Sequence, residues 1–128
     1  MALFNPQFDQ EALAKRLGTK DGLIVACYCA LWCETCKTYQ NDFAKLAEQW
    51  PQHTFLWIDI EELPELLGDA DIEDFPTLLI QDHSENYFFS PLHPNISHLE
   101  RLLRQADALS ANESTGNPPL LKPLLSKP

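Results

Sequence analysis

The apolar positions change period along the chain, and each change marks an element. Asn5-Pro6 reads as a helix start, after which Phe8, Ala12, Leu13 and Leu17 recur at helical spacing until Gly18 stops the pattern. Lys20-Asp21-Gly22 is a turn signal. Leu23 to Ala30 is then apolar without interruption, the pattern of a strand buried on both faces of a parallel sheet. From Cys36 the period returns to helical: Tyr39, Phe43, Leu46, Ala47 and Trp50 share one stripe, and Pro51 ends it.

Thr54 to Ile60 predicts a second strand, Glu62 to Leu67 a short helix stopped by Gly68, and Asp69 to Asp74 an acidic loop. Thr77 to Gln81 and Tyr87-Phe88-Phe89 predict two further strands, and the turn residues between them are few enough for an antiparallel hairpin. Ser97-His98-Leu99-Glu100 has capping-box spacing and opens a last helix, with Ile96, Leu99, Leu102, Leu103 and Ala106 on its apolar face. The order αβαβαββα implies an α/β fold: a mixed sheet of four or five strands flanked by helices, parallel at the crossovers and antiparallel at the final hairpin. Residues 1–109 form that domain. From 110 to 128 Ser, Asn, Gly and Pro dominate, which predicts a flexible tail, although Leu120-Leu121 and Leu124-Leu125 offer it something to dock with.

Composition narrows the function. With 128 residues and 45% hydrophobic content, the chain has enough apolar material for one core. A formal net charge of −10 without any basic stripe argues against nucleic acid and against anionic membrane surfaces. The run from Leu23 to Cys33 is too short to span a bilayer, and Met1 to Pro6 lacks a basic leader followed by a long apolar core. These features lead to the expectation of a reducing, cytoplasmic location, where a Cys pair is more often catalytic or metal-binding than structural.

The pair in question is Cys33 and Cys36, within Trp32-Cys33-Glu34-Thr35-Cys36, where the apolar strand gives way to the helical stripe. On a helix's first turn the leading sulfur lies near unpaired backbone N–H groups and the positive end of the macrodipole, which favour a thiolate. The second sulfur falls within bonding reach of the first. Cys27 and Cys29 lie two apart on the strand and so share a face, directed toward the helix that follows. As small buried apolar groups they need no further role, but exchange with Cys36 is open to them. A zinc site using all four cysteines is disfavoured, because a buried strand followed by a helix does not wrap four sulfurs tetrahedrally around one ion. No metal and no cofactor are expected. His53, His83, His93 and His98 have no ligand-like spacing and read as solvated.

A strand ending in Ala30-Leu31-Trp32-Cys33-x-x-Cys36-Lys37, a helix, a strand reaching Asp59, and Phe75-Pro76-Thr77 opening the next strand together resemble the thioredoxin family, over about residues 8 to 107. The resemblance implies a thioredoxin-like fold in which Cys33 attacks a disulfide, Cys36 resolves the mixed disulfide, and Phe75-Pro76 forms a cis peptide facing the two sulfurs. Trp32, Phe75 and Pro76 would then contact the substrate by strand addition. The implied partners are protein disulfides and an electron donor such as a thioredoxin reductase.

The departures from the family pattern bear on rate and poise. Cys27 stands where the family usually has a buried acid, Cys29 where it has a Trp, and Trp57 where it has a Lys. Glu34-Thr35 replaces the common Gly-Pro. A thiol of pKa ~8.5 is only about 3% ionised at neutral pH. A negative Glu34 beside Cys33 is expected to oppose ionisation further, which makes the couple reducing rather than oxidising. Cys27, Glu34 and Thr35 are therefore the expected modulating residues. With Glu73 and Asp74, Glu34 gives an acidic rim suited to disulfides flanked by basic residues. The alternative is an interaction or redox-sensing module with little turnover, which the missing acid–lysine pair favours.

Overall fold

The uninterrupted apolar run folds as β2 (Ile24–Cys29), with all six residues buried. The computed structural model describes residues 3–19, 22–30, 33–68, 76–82, 86–92, 95–105 and 120–125. β2 has parallel β3 (Thr54–Asp59) on one side, with Cys27 opposite Trp57. On the other side it has antiparallel β4 (Thr77–Gln81), with Cys27 opposite Leu78. β1 (Leu3–Phe4) adds parallel to β3, and β5 (Asn86–Pro91) adds antiparallel to β4. The sheet is thus five-stranded and mixed, in the order β1-β3-β2-β4-β5.

Alternation along β2 divides the core in two. Val25, Cys27 and Cys29 face α2 (Glu34–Gln49) and α3 (Ile96–Arg104), where they pack with Cys36, Tyr39, Phe43, Leu46, Leu99 and Leu103. Ile24, Ala26 and Tyr28 face the other way, toward α1 (Gln10–Thr19) and α4 (Leu121–Leu125), and pack with Leu13, Leu17, Leu66 and Leu121. Full burial of one such Leu or Phe side chain removes roughly 1.5–3 kcal/mol of unfavourable hydration.

The structure departs from the sequence reading at element ends. Asn5 begins a turn and not a helix: its carbonyl accepts from Phe8 N–H at 3.0 Å and Asp9 N–H at 2.8 Å, and Phe8 is 74% exposed. The helix over Glu62 to Leu67 reduces to a 3-10 turn at Pro64–Leu66, since Leu63, the residue before Pro64, is held outside the helical region (φ −129, ψ 55). Asn95, and not Ser97, caps α3: its Oδ1 accepts from Ser97 N–H at 3.0 Å, while Glu100 pairs with Arg104. Ala106 lies outside the described residues.

At the far end of the 110–128 segment the described residues form a short helix, α4. Leu121, Leu124 and Leu125 have helical spacing, and Leu121 is completely buried beside α1. Its N–H donates to Gln81 Oε1 at 2.7 Å, and Gln81 Nε2 donates to Asn86 Oδ1 at 2.6 Å. A buried amide at the end of β4 is thereby satisfied by the tail that covers it.

Candidate functional site

Where β2 ends, the chain turns into α2 through Cys33. Cys33 N–H donates to Ala30 O at 3.0 Å, and extended dihedrals (φ −84, ψ 110) place Cys33 at the N-cap of α2. Cys takes the place that Ser, Thr, Asp or Asn usually fills, and its sulfur does the same work: Sγ accepts from Cys36 N–H at 3.4 Å. Cys33 is half-exposed, whereas Cys36, one turn on, is 1% exposed and belongs to the stripe with Tyr39 and Phe43. One sulfur is open to a large substrate and the other is held behind it.

Burial holds the Cys33 thiol above the usual thiol value; the Cys36 N–H pulls it down, the Cys36 thiol pushes it up, and the Thr35 N–H lowers it a little. The Glu34 side chain is exposed, and its Oε1 lies 3.3 Å from Lys37 Nζ. Thr35 is exposed and contributes backbone only. For Cys36, the Cys29 thiol is the first cause of a strongly raised value, followed by burial.

Cys27 and Cys29 do share the face toward α2, with their sulfurs 3.4 Å apart. Burial raises the Cys27 thiol, and contact with Cys27 raises that of Cys29. Trp57 sits directly across from Cys27 and packs against Phe43 at 5.9 Å between ring centroids. An apolar floor thus lies under the pair where the family pattern has charge. Among the described residues, no three His, Cys, Asp or Glu side chains are arranged to hold a metal ion.

Pro76 is buried and precedes β4, so the antiparallel register that sets Thr77 against Tyr28 brings Pro76 to the end of β2 from which Cys33 departs. Its carbonyl accepts from Leu92 N–H at 3.2 Å. Trp32, Glu73, Asp74 and Phe75 lie outside the described residues, as do His83 and His93. Asp59 Oδ1 accepts from Glu61 N–H at 2.9 Å and so closes the turn after β3.

Two features escaped the sequence reading. Tyr39 Oη is buried without a hydrogen-bond partner among the described residues, beside the sulfurs; its place three residues after Cys36 on one helical stripe was the available signal. His53 is not merely solvated: Nδ1 accepts from Leu23 N–H at 3.0 Å, and the ring stacks on Trp50.

The family model described as Thioredoxin matches residues 4–91. Thioredoxin H-type 2 of Nicotiana tabacum is 38% identical over 69 residues, covering 54% of this chain and 58% of that protein. Thioredoxin-1 of Saccharomyces cerevisiae is 34% identical over 61 residues, covering 48% of this chain and 59% of that protein. The matches therefore span about half the length of these curated relatives. In fold, the chain is similar to a poplar thioredoxin h, with a TM-score of 0.68 at 20% identity over 83% of this chain and 96% of that one. It is similar also to the Drosophila melanogaster germline thioredoxin Deadhead, with a TM-score of 0.67 at 21% identity over 82% and 98%.

Proposed function

Because the chain belongs to the thioredoxin family, we propose that it is a thiol–disulfide oxidoreductase that reduces protein disulfides with the Cys33/Cys36 dithiol. The carrying observation is the half-exposed Cys33 sulfur at the N-cap of α2 with a buried Cys36 one turn behind it. Cys33 thiolate attacks one sulfur of the substrate, a mixed disulfide forms, and the other substrate sulfur leaves as a thiolate. Cys36 then attacks Cys33, releasing the second substrate sulfur and leaving Cys33–Cys36 oxidised.

A desolvated Cys33 thiol supports a reducing poise, since a less stabilised thiolate makes the disulfide harder to reduce. The exposed Glu34 and the net charge of −10 support a preference for disulfides flanked by basic residues. The resting dithiol would be restored by a donor of the thioredoxin reductase kind, in the cytoplasm. No described helix is long and apolar enough to cross a membrane.

One observation favours the second reading, an interaction or sensing module: Cys27 faces Trp57 where the family pattern has an acid and a lysine. Insulin reduction driven by dithiothreitol separates the two. The enzyme reading expects precipitation well ahead of dithiothreitol alone, and loss of that excess in Cys33→Ser. Wild-type protein that adds nothing to the thiol background leaves the module.

A further inference from the structure

The proposed reaction leaves Cys27 and Cys29 unused, yet they are not scattered through the core. Cys29 Sγ lies 3.4 Å from Cys27 Sγ, and the pleat of β2 turns both into the cluster that holds Cys33, Cys36 and Tyr39. Cys36, on the first turn of α2, is buried in that same cluster, and the bond from Cys33 N–H to Ala30 O sets this turn against the end of β2, whose last residue is Cys29; the Cys29 thiol is also the first of the groups that raise the Cys36 thiol. Four free thiols therefore gather in one cluster, from the half-exposed Cys33 to the buried Cys36, Cys29 and Cys27.

Tyr39 reports on the same spot independently. Its hydroxyl is buried without an acceptor among the described residues, and a charge on Cys27 or Cys29 is felt there. Leaving a buried hydroxyl unsatisfied is unfavourable. A thiolate forming in the cluster would give it a partner.

We propose that Cys29 is a third redox thiol, which exchanges with the Cys33–Cys36 disulfide to give a Cys29–Cys36 disulfide and a free Cys33 thiol. This rests on the Cys33/Cys36 couple of the preceding subsection. Cys29 gives up its proton and attacks Cys36 Sγ; the Cys29–Cys36 bond forms, the Cys36–Cys33 bond breaks, and Cys33 leaves as a thiolate that takes up a proton. One disulfide and two thiols are present before and after, so the step needs no oxidant or reductant. Tyr39 O–H is the donor available to the transient charge.

Contact with Cys27, together with burial, keeps Cys29 protonated, so the exchange is slow and quickens as pH rises. Proximity offsets part of that cost, because the reacting groups already share one cluster. Cys27 is the poorer partner: residues two apart on an extended strand have Cα atoms roughly 6.6 Å apart, close to the limit for a disulfide. The outcome is an oxidised chain with its accessible nucleophile restored and its disulfide hidden in the core.

The test uses the full chain, oxidised with one molar equivalent of diamide, held at mildly alkaline pH, quenched in acid and alkylated with a maleimide. Cleavage after Tyr28, Trp32 and Glu34 puts the four cysteines on separate peptides for mass spectrometry. The expected result is a Cys29–Cys36 linked pair with alkylated Cys33, growing with time as Cys33–Cys36 declines, and absent from Cys29→Ala. Cys33–Cys36 as the sole bridge at every time overturns the proposal, as does a Cys27–Cys29 bridge. Four alkylated cysteines would instead remove the Cys33/Cys36 couple itself. In Cys33→Ser the same oxidant should close Cys29–Cys36 and reduce three thiols to one; three remaining thiols, or a dimer through Cys36, overturns the assignment.

Discussion

Ile24, Ala26 and Tyr28 face α1 and α4, and Val25, Cys27 and Cys29 face α2 and α3, although the two sets alternate along one strand. The first face is mostly aliphatic, with Phe4 and Phe89 beside a single phenol whose Oη donates to Leu66 O at 2.9 Å. The second carries four thiols, a cluster of aromatic rings and a phenol with no partner among the described residues. Both faces are buried. Among the described residues the first face leaves no buried side-chain oxygen or nitrogen unpaired, whereas the second leaves Tyr39 Oη. A strand with period two lets a small domain keep these two jobs within one side chain of each other.

The largest expected effects come from truncating the centre of each face. Phe43 stands against Phe55 at 5.4 Å and Trp57 at 5.9 Å, and Leu13 is fully buried on the opposite face. Phe43→Ala should cost about 3–5 kcal/mol and Leu13→Ala about 2–5 kcal/mol in urea unfolding. Only Phe43→Ala should also move the Cys33/Cys36 midpoint in a glutathione redox titration, because only that cavity opens beside the sulfurs. Equal shifts in the two variants would dissolve the division between faces.

The two phenols give a smaller and sharper contrast. Tyr28→Phe removes a made hydrogen bond and leaves Leu66 O without it, so a loss of about 1–2 kcal/mol is expected. Tyr39→Phe removes a hydroxyl that has no described partner in the reduced protein, so stability should hold or rise by up to about 1 kcal/mol. Matched losses in the two variants would mean that Tyr39 Oη is satisfied in solution.

How much of this was legible in the sequence depends on which signals are periodic. The eight apolar residues before the Cys pair and the stripe after it could be read directly, and with them the strand, the helix and the placing of Cys33 ahead of Cys36. β1 is two residues long and has no period to read. α4 was obscured by the Ser, Pro and Gly around it, because composition averages over a window longer than the helix. Asn95 and Ser97 are both good caps, and only the backbone decides which side chain meets a free N–H. Alternation showed that Cys27 and Cys29 share a face, but it could not show that their sulfurs come within 3.4 Å of each other or that Tyr39 Oη lacks a partner among the described residues. Direction is written in spacing; contact distance is not.

The smallest expected effect separates the faces by pH. His53 sits where they join: Arg16 of α1 donates to His53 O at 2.7 Å, Trp50 beyond α2 stacks on the ring, and Leu23 N–H, leading into β2, donates to Nδ1. Burial lowers the His53 pKa below its ordinary value, and only a ring unprotonated at Nδ1 accepts the Leu23 N–H. Above the unfolded value of about 6.5 both states are neutral and the contribution is complete. Below it the unfolded chain binds the proton first, so stability is lost as pH falls toward the folded value. Cys33 runs the other way, since its raised thiol gains thiolate about tenfold per pH unit throughout the neutral range. Insulin reduction should therefore climb from pH 6 to 8 while unfolding free energy falls only on the acid side. His53→Asn should flatten the second profile and leave the first unchanged; if it moves both, the joint and the sulfur cluster are not separable.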